Sequence, residues 1–201
     1  DEFSNPRKAG IIAVDLDEGD FLIGAALTDG KHDVMLFSDG GKAVRFDEND
    51  VRALGRNTRG VRGMDLPDGQ SVIAMLVAED EQQSVLTATE NGYGKRTSIT
   101  EYTRHGRGTK GMIAIQQSER NGKVVAATLV HVDDEIMLIT DKGVLVRTRV
   151  SEIRELGRAT QGVTLIGLDE GSKLSGLQRI VENDANAVGD EDAGEDTTAA
   201  E

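Results

Sequence analysis

Short runs of apolar and β-branched residues, each bounded by glycine, asparagine or charged turn residues, recur along the whole of this chain. Such runs are the length of strands and too short for helices. The pattern predicts strands at Phe21–Leu27, Val34–Phe37 and Ala43–Phe46, then at Val61–Leu66, Ser71–Val77, Val85–Thr89 and Gly94–Ile99, and again at Val124–Val130, Ile136–Thr140 and Val144–Thr148. Asp39-Gly40-Gly41, Asn91-Gly92 and Asp141-Lys142-Gly143 separate pairs of these runs as hairpin turns, and Pro67-Asp68-Gly69 marks a further turn. Helical periodicity is weak everywhere; the best short candidates are Glu48–Leu54 and Ser151–Leu156.

The runs repeat with a period of 51 residues: Gly55-Arg56-Asn57-Thr58-Arg59-Gly60 returns as Gly106-Arg107-Gly108-Thr109-Lys110-Gly111 and as Gly157-Arg158-Ala159-Thr160-Gln161-Gly162. Arg45, Arg96 and Arg147 keep the same spacing, as do Val51, Tyr102 and Ile153, and Asn5–Gly10 resembles a degenerate earlier copy. The units are 11–60, 61–111 and 112–162, with a partial fourth at 163–181. Four short strands in about 50 residues is the arithmetic of a propeller blade. The expectation is all-β, with three blades and a fragment forming an open array whose missing members lie upstream of Asp1.

Charge changes this picture at one end. The chain holds 36 acidic and 23 basic side chains, a net of −13, yet eight of the acids and none of the bases lie in 182–201. That leaves 28 against 23 in residues 1–181, a net of −5. The acidic segment has almost no apolar side chain to offset the entropy of ordering, so it is expected to be disordered. Tethered beside a basic edge, its carboxylates are expected to compete weakly and salt-sensitively with phosphates. The absence of cysteine excludes disulfides, thiolate metal sites and a cysteine nucleophile. No run is long enough to span a membrane, and a cytoplasmic location is expected.

The repeated hexapeptide carries the only recurring chemistry. Its glycines allow close approach to main-chain N–H groups, its arginine offers a planar fork to phosphate oxygens, and its threonine adds a donor. Arg56, Thr58, Arg59, Arg107, Thr109, Lys110, Arg158 and Thr160 are therefore candidate phosphate contacts, with Arg45, Arg96 and Arg147 as further candidates. Arg52, Arg62, Arg104, Arg149 and Arg154 lie close by in sequence. A row of such sites along a curved edge suits double-stranded DNA wrapped around the protein. The competing reading is a set of solvated rim charges on a protein-binding propeller, and the net charge of −5 demands a segregated basic edge if DNA is bound. Asp15–Asp20 lacks the spacing of a calcium loop, Gly92–Lys95 lacks the frame of a nucleotide-binding P-loop, and His32, His105 and His131 are dispersed. Tyr102, aligned with Val51 and Ile153, is expected in the core.

Asn91–Thr97, Gly60–Gly63, Asp141–Ile153 and Gly157–Val163 resemble the C-terminal DNA-wrapping domain of the gyrase A protein of bacterial DNA gyrase, and the similarity runs from residue 1 to about 181. The resemblance implies a propeller-like β-pinwheel whose basic perimeter bends DNA, biasing ATP-dependent strand passage toward negative supercoiling. It implies as partners double-stranded DNA, the rest of a dimeric gyrase A, and gyrase B, in a holoenzyme of two copies of each. That holoenzyme, a type II DNA topoisomerase, uses ATP and Mg; no cofactor and no catalytic residue is expected within these 201 residues. The family's hallmark box, Gln-Arg-Arg-Gly-Gly-Lys-Gly, is absent. This leaves the homologous domain of topoisomerase IV as an alternative.

Overall fold

A computed structural model describes residues 2–181 of the chain; the predicted acidic tail lies outside the described residues. Among the described residues the architecture is all-β, with eleven strands. They are β1 (Asp33–Ser38), β2 (Lys42–Asp47), β3 (Val72–Ala78), β4 (Ser84–Thr89), β5 (Tyr93–Ser98), β6 (Met112–Ile113), β7 (Val124–Val130), β8 (Glu135–Thr140), β9 (Leu145–Arg149), β10 (Val163–Thr164) and β11 (Leu174–Ile180). The two helix candidates shrink to single 3-10 turns, Glu48–Asp50 and Val150–Glu152, and a third such turn occupies Ile99–Glu101.

Three antiparallel sheets form, ordered β3-β1-β2-β6, β7-β4-β5-β10 and β11-β8-β9. Each contains a local hairpin, β1–β2, β4–β5 or β8–β9, at the predicted turns. The remaining strands come from farther along the chain. β3 pairs with β1 across the register Asp33↔Ala78 to Phe37↔Ala74, and β6 pairs with β2 through Lys42↔Ile113. The first two sheets therefore each draw on three successive sequence units and the third on two, so the sequence units 11–60, 61–111 and 112–162 do not coincide with the sheets.

This pairing explains where the strand expectation fails. Phe21–Leu27 is the repeat equivalent of β3 and β7, but it forms no strand because no described hairpin precedes it to supply a ladder. Val61–Leu66 is likewise not a strand; only Met64 makes an isolated bridge, to Thr109.

Two of the three described core clusters lie between sheets, and the third joins Val44 and Phe46 of the first sheet to Met64. Successive residues of one strand point to opposite faces, so Val85 joins Met35, Phe37, Ile99 and Tyr102 between the first two sheets, whereas Leu86 joins Ile136, Leu138, Val150 and Ile153 between the second and third. Tyr102 is in this core, its ring edge-on to Phe37 with centroids 6.0 Å apart, and burial pushes its phenol pKa up. The front face of the first sheet, with Val34, Leu36, Phe46, Met75 and Val77, lines an open groove of about 560 Å³.

Candidate nucleic-acid interface

β3 packs against β7, and β7 against β11, so these strands mark the side on which the sheets converge. The hexapeptides lie at the opposite edge. The chain leaving the second and third 3-10 turns runs back along the preceding sheet, on β2 and β5: His105 N–H donates to the Arg45 carbonyl (2.8 Å), and Leu156 N–H to that of Arg96 (2.9 Å). Both segments then enter the two-residue strands β6 and β10.

The last glycine of the motif is fixed by this docking. Gly111 has φ of +73°, and a Cβ there would stand 2.4 Å from the Ala43 carbonyl oxygen; at Gly162 the values are +79° and 2.6 Å from that of Gly94. Only glycine fits where the crossing is that close. These glycines thus serve contact with a neighbouring strand, and not the approach to an anion for which the motif alone would suggest them.

The motif's arginine is similarly engaged. Arg56, Arg107 and Arg158 each donate from Nη1 to a main-chain carbonyl at the start of their own unit, that of Ile12 (2.7 Å), Arg62 (3.1 Å) and Ile113 (2.9 Å). Arg107 adds an Nε bond to the Asp50 carbonyl at 3.0 Å. The Thr58 and Thr160 hydroxyls close onto the carbonyls of Gly55 (3.0 Å) and Gly157 (2.9 Å). The carbonyls of Thr58, Thr109 and Thr160 accept N–H groups of Asp15, Asp65 and Gln116. Arg59 is exposed and paired with Asp17 at 2.9 Å. Lys110 is exposed, and like Arg52 and Arg154 its side chain makes no hydrogen bond or ion pair among the described residues.

The other repeated arginines link sheets. Arg45, its side chain 11% exposed, donates to Asp33 Oδ2 (2.7 Å), Glu81 Oε1 (3.0 Å) and the carbonyls of Ile99 and Tyr102. Arg96 repeats this one unit on, donating to the Ile153 carbonyl (2.7 Å) and Glu155 (3.1 Å). Arg147, half exposed, pairs with Glu135. Asp33 is buried between two guanidiniums, with Arg104 Nη2 on its other oxygen at 2.7 Å; this pairing and hydrogen bond raise the Arg104 pKa further.

The residue that motif reasoning missed is Lys95. It is fully buried, and its Nζ donates to the carbonyls of Gly157 and Arg158 and to Thr160 Oγ1 (3.2 Å). Desolvation pulls its pKa down to about 8, partly countered by the Glu101 carboxylate and reinforced by Arg158. Its repeat equivalents are Val44 and Val146, so the apolar pattern gives no hint of it beyond one lysine in a strand of alternating character. Elsewhere, Asp29, His32 and Glu48 bring ligand-type atoms within 4.8 Å of one another. Glu48 there accepts the His32 N–H at 2.7 Å, and hydrogen bonds led by Thr28 hold its carboxyl below the usual range, so the group reads as a hydrogen-bonded turn.

Comparison with known proteins matches residues 1–29, 32–79, 83–131 and 134–180 to the family described as "DNA gyrase C-terminal domain, beta-propeller". The last three segments start 51 residues apart, as the hexapeptides do. The gyrase A protein of Pseudomonas aeruginosa is 53% identical over 200 residues, covering 100% of this chain and 21% of that protein. The Escherichia coli protein of the same name is 54% identical over 181 residues, covering 90% and 21%. This chain thus spans about a fifth of these relatives. Among solved structures, a DNA gyrase A C-terminal domain superposes with a TM-score of 0.80 at 31% identity, covering 87% of this chain and 59% of that one. A C-terminal domain of DNA topoisomerase IV gives 0.84 at 23% identity, covering 89% and 56%, a likeness of fold.

Proposed function

This chain belongs to the DNA gyrase C-terminal domain family, and from that premise we propose that it is a DNA-wrapping module of a gyrase A protein. The observation that carries the reading is that the family match covers all three sheets in one order, at more than 50% identity to gyrase A proteins. In that reading the partners are double-stranded DNA, the rest of gyrase A and gyrase B, in a cytoplasmic holoenzyme that uses ATP and Mg. No described helix is long and apolar enough to cross a membrane. Topoisomerase IV is the second reading, and its likeness extends to fold alone.

The geometry refines which side chains would meet phosphates. Lys110 is the leading candidate, with Arg59, Arg52 and Arg154, because their cationic heads are exposed and the latter two repeat at twice the period. Arg56, Arg107 and Arg158 would meet DNA only with donors left over from their carbonyl bonds. Thr58, Thr109 and Thr160 shape the loops that carry them. Arg147 reaches solvent beside Glu135, whereas Arg45 and Arg96 hold sheets together. Ligating a nicked circular DNA in the presence of the protein tests the reading: wrapping leaves a linking-number shift proportional to protein added. Binding without any shift would reduce the module to a simple DNA-binding one, and no binding at low salt would favour a protein-interaction role.

A further inference from the structure

The three hexapeptide loops are alike in sequence but not in support. The loop at 157–160 is held from inside by a buried ammonium, which turns the carbonyls of Gly157 and Arg158 toward Lys95 Nζ. In a planar trans peptide the N–H points opposite to the preceding carbonyl. The Arg158 and Ala159 N–H groups are therefore directed outward. The first is taken by Glu101, whose Oε2 accepts it at 3.1 Å; the second, on an exposed residue, has no acceptor among the described residues. An anion already sits on this loop, supplied by the protein itself.

We propose that the loop at 157–160 is a preorganised phosphate cradle, that Lys95 is its positioning residue, and that Glu101 is the resident carboxylate which an incoming phosphate displaces. The site rests on the DNA-binding reading for its natural ligand, a backbone phosphate, but the cradle itself is a property of the loop. Its donors are the two outward N–H groups. The other loops lack this support, because Val44 stands where Lys95 would face the loop at 106–109. Asp50, the counterpart of Glu101, enters through its main-chain carbonyl, to Arg107.

The two residues act with opposite signs, which a general loss of stability cannot imitate. In the full chain, Lys95→Met should speed hydrogen exchange at Ala159 and Thr160 about tenfold, as expected for losing a charge-assisted bond, and weaken DNA binding by a similar factor. Glu101→Gln should instead tighten DNA binding at low salt about threefold, the effect fading as salt rises. Should Lys95→Met fail to fold, Thr160→Val, which removes one acceptor from Nζ, is expected to give the same exchange change in smaller degree. Inorganic pyrophosphate serves as a DNA-independent probe: it should shift the Ala159 and Thr160 amide resonances, more strongly in Glu101→Gln than in the parent. Failure to bind DNA alongside a pyrophosphate response would overturn the functional reading and keep the cradle. Unchanged exchange in both Lys95→Met and Thr160→Val, or no response to pyrophosphate in Glu101→Gln, would overturn the cradle.

Discussion

Arginines at one repeat position meet different fates according to what the next unit offers. Arg45 and Arg96 find carbonyls 54 to 57 residues onward, at Ile99, Tyr102 and Ile153, and become cross-links between sheets. Sequence displays the recurrence of these arginines but not their acceptors, which are main-chain atoms and carry no residue signature. The same holds for the hexapeptide arginines. Replacing Arg45 by Ala removes one of two cations facing the buried Asp33 carboxylate, and should cost about 3 kcal/mol of stability. Lys110→Ala should leave stability within about 0.5 kcal/mol and lower the slope of log DNA affinity against log salt by about one. Denaturant titration and salt-dependent binding separate the two. Lys95 makes a further prediction. Its pKa is depressed from 10.5 to about 8 on folding, so between these values the unfolded chain holds more protons than the folded one. Stability should rise with pH across that window, and Lys95→Met should abolish the rise.

At the scale of elements, the hairpins were legible because both strands and the turn lie within about 15 residues of one another. Strands whose partner is remote were legible only where that partner exists. β7 appears at its predicted bounds, whereas Phe21–Leu27, of comparable apolar character, remains without a ladder. The role of the motif's last glycine was not legible for a related reason: glycine permits close approach of either an anion or a neighbouring strand, and sequence does not say which. The contrast between Gly111 and Gly60 makes this measurable. Both have positive φ, +73° and +79°, but a Cβ on Gly111 would strike the Ala43 carbonyl whereas the space around Gly60 is open. Gly60→Ala should cost about 1 kcal/mol, the strain of a left-handed alanine. Gly111→Ala adds displacement of β6 from β2 and should cost at least about 2 kcal/mol more, read from thermal or denaturant unfolding.

At the scale of the molecule, the sheets behave as a stack in which each face is finished by the next sheet. The second sheet is covered on both faces, and its strand β4 is buried throughout. The first sheet is covered behind by the second sheet, but in front only in part, by Met64 and Leu66 packed on Val44 and Phe46. Its front face opens on the apolar groove of Val34, Leu36, Phe46, Met75 and Val77, and beside it Phe21, Leu22, Ile23 and Leu27 are exposed, Leu27 to 99%. An apolar strand-forming segment without a ladder, adjoining a partly covered apolar sheet face, is a template for association. The chain at 201 residues should therefore self-associate, with a sedimentation coefficient that rises with concentration and a dye-binding signal from exposed apolar surface. Leu27→Ser together with Ile23→Ser should suppress both without lowering the unfolding free energy, because neither side chain is in a described core cluster. A longer chain that carries a hairpin ahead of residue 21 should suppress them too, and should protect the amides of 21–27 from exchange as those of β7 are protected. If the 201-residue chain instead sediments as a concentration-independent monomer and binds no dye, the groove is closed in solution by the chain itself, and the one-sided stack drawn from its sheets is wrong.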